Sequence, residues 1–269
     1  TATGLAVDKG STTLVYISNH AEFVGASGGS YINGSDTVYI FNDTSKTYFV
    51  TGNILLGSTE VMSVGNGVRF VGTGPTSSSI HGQRSNGWLL VQPGGANKFE
   101  NLNIDIDGLG IFYEDTVDYD IIFNKCRLPQ RGIYGNSYIP IGAGTVQYLD
   151  CTMPLNAYMI NPPLTINSKV RFERCVFDQT DSSYGSNIGA VFSLAGCTIN
   201  GQLIFKDCQV NTTVYTTYDV KQTLLSVKST STGAIPIITN PAGIVIDNCT
   251  HNWVNGNTYN GGKLILGDF

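Results

Sequence analysis

The feature that most constrains this chain is a short phrase that recurs along it: a large apolar residue, any residue, a polar residue and a cysteine. Five copies are FNKC, YLDC, FERC, FKDC and IDNC, which end at Cys126, Cys151, Cys175, Cys208 and Cys249. Phe99–Leu102 has the same form with leucine in the cysteine position, and Phe70–Thr73 is a weaker relative. The last positions of the seven copies lie 29, 24, 25, 24, 33 and 41 residues apart. A period near 24 predicts a stack of repeated structural units.

The content of each unit indicates β-structure. Apolar and polar residues alternate within the phrase, as they do in strands, and clusters of Gly, Asn, Asp, Ser and Pro between the units are typical of turns. No segment has a capped helical stripe, so no helix is predicted. The sequence therefore predicts an all-β fold, a right-handed single-stranded parallel β-helix with coils of about 24 residues.

The same pattern predicts the state of the cysteines. Stacked coils would bury the cysteine positions in one column of reduced thiols, because cysteine is small and often buried. Disulfides and a metal site remain the alternatives. Cys197 breaks the spacing and is expected on a different wall.

We expect a single domain over residues 1–269. Residues 1–60 have loosely spaced strands and are predicted to hold an N-terminal cap and irregular first coils. Residues 61–255 form the regular coils, and residues 256–269 hold a terminal strand. Hydrophobic residues make up 41% of the chain, which is enough for a sizeable core.

Charge and hydropathy exclude several classes of protein. The 15 basic residues are outnumbered by 20 acidic ones, whereas nucleic-acid-binding domains are usually basic. No run of 18 apolar residues exists, so no membrane-spanning helix is predicted. We therefore expect neither a nucleic-acid partner nor a membrane.

The most acidic stretch carries the candidate chemistry. Six of the 20 acidic residues lie between Asp105 and Asp120, interleaved with tyrosines. Two carboxylates beside aromatic rings can cleave a glycosidic bond, one as the acid and the other as the base or nucleophile. The candidate catalytic residues are Asp105, Glu114 and Asp118, and the candidate substrate-binding residues are Tyr113, Tyr119, Arg131 and Trp88. The alternatives are a solvated loop paired with arginines and, for Trp88, a place in the core.

The start of this stretch also resembles a calcium-binding loop. In NIDIDG, oxygen-bearing side chains alternate at Asn103, Asp105 and Asp107, as in loops that bind calcium. The alternative is an ordinary strand with Leu102, Ile104 and Ile106 facing inward. No cofactor is otherwise predicted.

The phrases VRFERCVFD, LIFKDCQVN and IVIDNCTHN, with their polar turns, resemble the coils of pectate-lyase-like parallel β-helices. Among these, low charge and abundant Tyr, Asn and Thr look most like bacteriophage tailspikes and related tail appendages. The resemblance covers about residues 65–255. It implies a virion protein, a homotrimer of parallel rods, that binds and often cleaves a bacterial surface polysaccharide.

Three functions follow as hypotheses. The first is a tailspike or tail fibre that recognises a surface glycan, with or without cleaving it. The second is a secreted polysaccharide lyase or glycoside hydrolase that acts alone. The third is a structural virion module without a ligand.

Overall fold

A computed structural model of the protein describes residues 12–84, 88–91, 96–105, 118–129, 142–154, 165–179, 190–213, 223–227, 234–254 and 265–266. Almost all the regular structure in these ranges is β-strand, so the predicted fold class is confirmed at this level. The one helix of the described residues has seven residues. No helix in these ranges is long and apolar enough to cross a membrane.

Up to residue 149, the elements in chain order are β1 (Thr13–Ile17), α1 (His20–Ala26), β2 (Ser30–Asn33), β3 (Asp36–Phe41), β4 (Lys46–Val50), β5 (Asn53–Leu56), β6 (Glu60–Val64), β7 (Arg69–Gly72), β8 (Ser79–Gly82), β9 (Leu89–Val91), β10 (Ala96–Glu100), β11 (Asn103–Asp105), β12 (Tyr119–Asn124) and β13 (Gly144–Leu149). The later elements are β14 (Thr152–Pro154), β15 (Thr165–Ile166), β16 (Lys169–Glu173), β17 (Val176–Gln179), β18 (Ala190–Ser193), β19 (Thr198–Ile199), β20 (Gln202–Lys206), β21 (Gln209–Thr213), β22 (Thr223–Ser226), β23 (Ile237–Ile238), β24 (Ile244–Asp247), β25 (Thr250–Val254) and β26 (Ile265–Leu266).

The longest sheet is parallel and has nine strands, in the order β1-β4-β7-β10-β12-β13-β16-β20-β24. Its register confirms the spacing that the repeated phrase predicts. Phe99 pairs with Phe123, Phe123 with Tyr148, Tyr148 with Phe172, and Phe172 with Phe205. These partners are 24, 25, 24 and 33 residues apart, the same steps as between the corresponding last positions of the phrase.

The remaining strands form shorter sheets. In the chain they lie between successive strands of the long sheet, except β25 and β26, which follow β24. Their orders are β5-β8-β11, β14-β17-β21-β25, β15-β19-β23, β18-β22-β26 and β2-β3-β6-β9. Single bridges through Arg127 connect β11 to β14. Only the β2–β3 hairpin is antiparallel among the described pairs. The core lies between these sheets and the long one, since their inward residues belong to one buried cluster.

A stack of aromatic rings runs along the inner face of the long sheet. Neighbouring ring centroids are 4.8–5.8 Å apart and the ring planes lie within 20° of parallel, through Tyr48, Phe70, Phe99, Phe123, Tyr148, Phe172 and Phe205. Each aromatic pair adds roughly 0.5–1.5 kcal/mol beyond the burial of its surface. The apolar position of the phrase is therefore a structural column.

The backbone conformation explains why the third position of the phrase is often polar. Every described non-glycine residue with a positive φ directly precedes a cysteine or leucine position, with φ between 49° and 54° at Asn101, Lys125, Asp150, Arg174, Asp207 and Asn248. In this left-handed conformation the chain turns from the long sheet into the next strand. Asn and Asp adopt it more readily than other side chains, which accounts for four of the six residues.

The cysteine column forms as predicted. All six cysteines are free, and five are buried. Four thiols of the column, those of Cys126, Cys151, Cys175 and Cys208, donate to the carbonyl oxygen of the aromatic residue on the preceding strand of the long sheet. The Cys126 Sγ lies 3.3 Å from the Phe99 oxygen, and the Cys175 Sγ lies 3.2 Å from the Tyr148 oxygen. Cys197 is also buried, beside β19 and apart from the column, as expected.

Burial makes these thiols unreactive. It raises the pKa of Cys151 and of Cys175 well above the usual thiol range. The neighbouring Cys175 thiol, together with burial, raises the pKa of Cys208 to about 12. The thiolate is the reactive form, so these groups stay protonated at neutral pH. Cys249 is the one cysteine of the column that is only half-buried.

We therefore expect a graded reaction of the native protein with a thiol reagent at pH 8. Cys249 should react first and slowly, and the five buried thiols should react only after unfolding in guanidinium chloride. Timed alkylation followed by peptide mass spectrometry measures the order. Fast alkylation of Cys151 or Cys175 in the native protein would contradict the buried column.

Helix α1 is the element that the sequence did not predict. Its N-cap is Asn19, whose side chain accepts a hydrogen bond from the Glu22 amide at 3.0 Å, while Glu22 accepts from the Ser18 amide at 2.7 Å. Only Phe23 of the helix is buried. Its ring packs against Tyr39 and Phe41, with centroids 5.8 and 4.8 Å away. With fewer than two full turns, the helix has too little apolar periodicity to be recognised.

Candidate functional site

Two of the three predicted catalytic residues, Asp105 and Asp118, lie on either side of the segment 106–117. Asp105 is the last residue of β11, and Asp118 is exposed and directly precedes β12, which begins at Tyr119. These two strands belong to different sheets. The other predicted positions, Glu114, Tyr113, Arg131 and Asp107, lie outside the described residues.

Around Asp105 the structure brings together polar residues from three segments of the chain that lie more than 20 positions apart in the sequence. His81 on β8 is in register with Asp105, and Ser79 is in register with Asn103. Arg127 bridges to Asn103 from the other side. Ile80 and Ile104, which lie between these positions, are buried, so alternation along the strands puts His81 and Asn103 on the opposite face of the sheet. Ser79 is on the same face as His81 but is only 3% exposed.

This group, which we call the Asp105 face, comprises Ser79, His81, Asn103, Asp105 and Arg127. It places the imidazole of His81, the amide of Asn103 and the guanidinium of Arg127 on neighbouring backbone segments about 4.8 Å apart, and the position of Asp105 is in register with His81. Such groups can transfer protons, accept hydrogen bonds and neutralise an anion.

One buried acceptor atom of this face lacks a hydrogen-bond partner among the described residues. The Asn103 Oδ1 is buried and has no hydrogen-bond partner among the described residues. A buried acceptor without a partner costs about 1–3 kcal/mol, so it is a natural point for a ligand or cation to bind. For residues 103–105, the strand interpretation of this region is confirmed.

Trp88 belongs to the core. Its side chain is only 2% exposed, and a Cβ at Gly82 would lie 1.9 Å from the Trp88 ring. The glycine is therefore needed for the indole to fit. Of the two interpretations of Trp88, the structure supports the core residue.

A second polar surface escaped the sequence analysis. Next to the β15-β19-β23 sheet, exposed amides and a hydroxyl form a ladder across three neighbouring strands. The Asn200 Nδ2 donates to the Asn167 Oδ1 at 2.8 Å, and the Thr239 hydroxyl donates to the Asn200 Oδ1 at 2.7 Å. We call Asn167, Asn200 and Thr239 the amide ladder.

A sequence signal for this ladder exists. The phrase Thr-Ile-Asn occurs at 165–167 and again at 198–200, and its two copies are 33 residues apart, the same step as from Cys175 to Cys208. In the third strand the corresponding residues are Ile-Ile-Thr at 237–239, so the repeat is not recognisable there from the sequence. The central isoleucines stack in register and face inward.

Charged residues on the outer face of the long sheet are paired across strands. Glu100 is 8% exposed and accepts hydrogen bonds from Arg69, Lys98 and Asn124. These partners hold the pKa of Glu100 below its usual value against the opposing effect of burial. Arg174 forms a bidentate pair with Asp150, at 2.7 and 3.0 Å. Because these charges neutralise one another within the sheet, the Asp105 face and the amide ladder are the stronger candidates for ligand contact.

Among the described residues, no group of three or more His, Cys, Asp or Glu side chains is placed to hold a metal ion. Of the predicted calcium ligands, Asn103 and Asp105 lie in β11 within the described ranges. A calcium site here would need oxygens from Asn103 and from the segment that follows β11.

Comparison of this chain with protein-family models, with curated proteins and with solved structures finds no match.

Proposed function

We propose that this protein is a right-handed single-stranded parallel β-helix that serves as a phage tail appendage, a tailspike or tail fibre, and recognises a bacterial surface polysaccharide. The observation that carries the proposal is the in-register stacking of outward polar side chains on neighbouring parallel strands, seen in the amide ladder.

The connectivity supports the β-helix. Strands that are 24 to 41 residues apart in the chain pair in parallel, and the strands between them belong to other sheets. Parallel neighbours need a crossover connection, and such crossovers are almost always right-handed. Repeated crossovers of one hand wind the chain into a helix of strands.

The chemistry of the outer surface supports a glycan ligand. Sugars offer many hydroxyl groups, which amides and hydroxyls can both donate to and accept from. The amide ladder repeats such groups at the strand spacing of about 4.8 Å. A polymer that repeats along its own length can therefore contact several equivalent groups at once. The resemblance to tailspikes supports the virion location and the homotrimer.

For cleavage, we propose that Asp105, Glu114 and Asp118 supply the acid and the base. Asp105, with Glu114 and Asp118, provides the carboxylates that glycoside hydrolysis uses in pairs. His81, in register with Asp105, adds an imidazole that can transfer a proton. Tyr113, Tyr119 and Arg131 are the proposed sugar contacts.

The test combines binding with turnover. The purified protein is screened on an array of bacterial surface glycans, and the glycans it binds are incubated with the protein and assayed for new reducing ends. We expect Asn200→Ala to weaken binding about tenfold or more, since it removes the central amide of the ladder. We expect Asp105→Asn to leave binding intact and to lower turnover at least 100-fold.

Asp247→Asn is the matched control, because Asp247 is an exposed carboxylate on β24, away from both surfaces. It should bind and cleave as the natural sequence does. Unchanged binding by Asn200→Ala would remove the ladder from the proposal. Turnover that survives Asp105→Asn would remove the Asp105 face, and a protein that binds no glycan would be the structural module.

We also propose that calcium binds at Asn103, with Asp105 and Asp107 supplying carboxylates. The unpartnered Asn103 Oδ1 favours this, because calcium prefers oxygen ligands. The ion would fix the segment that follows β11. We expect millimolar CaCl2 to raise the Tm by several degrees, with MgCl2 having a smaller effect.

Asn103→Leu should abolish the calcium-dependent shift in Tm. Asn53→Leu is the control, since Asn53 occupies the outward column of Asn103 two strands earlier. A shift in Tm that persists in Asn103→Leu would place the ion elsewhere.

A further inference from the structure

Asparagine–glycine pairs are a reactive feature of this chain that the proposed function does not use. The backbone nitrogen of the residue after an asparagine can attack the carbonyl carbon of the asparagine side chain, and glycine has no Cβ to hinder that attack. The sequence has six such pairs. The structure describes three of them, Asn33-Gly34, Asn66-Gly67 and Asn200-Gly201. Because their surroundings differ, we expect these three pairs to differ in reactivity.

The pair Asn200-Gly201 is held in place by hydrogen bonds to neighbouring strands. Both polar atoms of the Asn200 amide group have partners: its Nδ2 donates to the Asn167 Oδ1 at 2.8 Å, and its Oδ1 accepts from the Thr239 hydroxyl at 2.7 Å. The Gly201 backbone N–H donates to the Ile166 oxygen at 3.0 Å. The attacking nitrogen and the attacked carbon are therefore both fixed, so ring closure requires local opening of the strands.

The pair Asn66-Gly67 lies in the exposed turn between β6 and β7, but this turn packs on an earlier part of the chain. The Gly65 N–H donates to the Phe41 oxygen at 2.7 Å, and a Cβ at Gly67 would lie 3.3 Å from the Thr44 Cγ2. The backbone of this pair therefore has less room to move than that of an isolated hairpin turn.

The pair Asn33-Gly34 has none of these restraints. Asn33 ends β2 and is in register with Asp36, the first residue of β3, so Gly34 and Ser35 form a two-residue hairpin turn. Asn33, Gly34 and Ser35 are all exposed. Within the described ranges, neither the Asn33 side chain nor the Gly34 N–H makes a hydrogen bond, and a Cβ at Gly34 would meet nothing within 4 Å. Both reacting groups are thus accessible to water and able to approach each other.

We propose that Asn33 is a site of self-modification, at which the hairpin turn loses a neutral amide and gains a carboxylate. The Gly34 nitrogen bonds to the Asn33 Cγ, its proton passes through water to the side-chain nitrogen, and the Cγ–Nδ2 bond breaks to release ammonia. A water molecule then opens the cyclic imide at either carbonyl carbon, which yields aspartate or isoaspartate. The net reaction consumes one water and involves no change of oxidation state.

The product changes the charge and the geometry of the hairpin. Asp36, in register with Asn33, already has a carboxylate that pairs with Arg84 at 2.8 Å, so two carboxylates then face each other across the strand pair. In isoaspartate the main chain runs through the side-chain carbon and is one atom longer, so the turn no longer matches the register of Ile32 with Thr37. The inference does not depend on the proposed glycan recognition, since the amide ladder keeps its amides.

The test follows the three pairs in the folded full chain during incubation at 37 °C and pH 8, with peptide mass spectrometry to locate each new carboxyl group. We expect Asn33 to be modified first and Asn200 at least about tenfold more slowly, because the strands around Asn200 must open. In guanidinium chloride the three rates should become similar, since each asparagine precedes a glycine. Modification of Asn66 or Asn200 before Asn33 in the folded protein, or an Asn33 that reacts only after unfolding, would overturn the proposal.

Substitutions link the modification to a change in charge. Asn33→Gln keeps a neutral amide but closes an imide ring far more slowly, so it should abolish the first acidic species that appears on anion-exchange chromatography. Asn33→Asp should elute close to that species from the start. Asn66→Gln is the matched control, because it alters another exposed asparagine–glycine pair and should leave the first acidic species unchanged. With all three variants folded by circular dichroism, an early acidic species that persists in Asn33→Gln would place the reaction at another residue.

Discussion

Replacing Phe172 by alanine should lower the free energy of unfolding by about 3–5 kcal/mol, the range for truncating a buried phenylalanine. Phe172 is 0% exposed. Its ring stacks on Tyr148 at 4.8 Å and on Phe205 at 5.2 Å, and it contacts Phe177 and Phe192 at 5.4 and 5.3 Å. Its removal leaves a cavity that these rings can fill only partly.

The size of this loss in the free energy of unfolding shows whether the aromatic column stabilises the fold. If stacking along the strands stabilises the fold, the loss is a large part of a total stability of about 5–15 kcal/mol. Urea unfolding followed by circular dichroism measures it. Tyr16→Ala is the control: Tyr16 is 61% exposed and has one aromatic neighbour, Phe49. We expect it to cost less than about 1 kcal/mol, and equal losses in the two variants would show that the column is not a stabilising unit.

The strand register could be predicted from the sequence because the phrase carries both the apolar column and the cysteine column. A shift of one residue would turn Phe123 or Cys126 outward, so the hydrophobic pattern permits one alignment only. The phrase also includes the residue at which the chain turns out of the long sheet. Why that residue is polar becomes clear only from the structure, in which residues such as Asp150 have a positive φ.

Other features were not predictable, because their sequence patterns are short or are spread over distant segments of the chain. Helix α1 buries a single side chain, so periodicity does not reveal it. The amide ladder depends on two exact copies of Thr-Ile-Asn and one altered copy. The Asp105 face is assembled from residues as far apart as Ser79 and Arg127, which become neighbours only through the register.

The structure therefore describes only some of the predicted site residues. Asp105 gains neighbours, His81 among them, that the sequence alone did not connect with it. Trp88 moves from the candidate sugar contacts to the core. For a stacked fold of this kind, the register that a repeat defines is a better guide to surface sites than the clustering of charges along the chain.

The same substitution at two glycines should have opposite effects. At Gly201, a Cβ would lie 1.9 Å from the Ser168 carbonyl oxygen and 2.6 Å from the Asn167 oxygen. Both atoms are backbone, so they cannot rotate away. Gly201→Ala must separate two strands that are joined by the Gly201 amide to the Ile166 oxygen at 3.0 Å. We expect a loss of about 3 kcal/mol, the upper part of the range for overpacking.

Gly25→Ala provides the opposite case, because Gly25 lies inside α1 and a Cβ there would meet nothing within 4 Å. Alanine is the better helix former, so this variant should gain up to about 1 kcal/mol. Both effects are measured by urea unfolding under the same conditions. Gly201 directly follows Asn200 of the amide ladder, so its substitution should also separate the Asn167 and Asn200 amides and weaken glycan binding, whereas Gly25→Ala should not. A Gly201→Ala protein as stable as the natural one would mean that the strands are not packed this closely at the ladder, and the ladder's spacing would then no longer support the proposed glycan recognition.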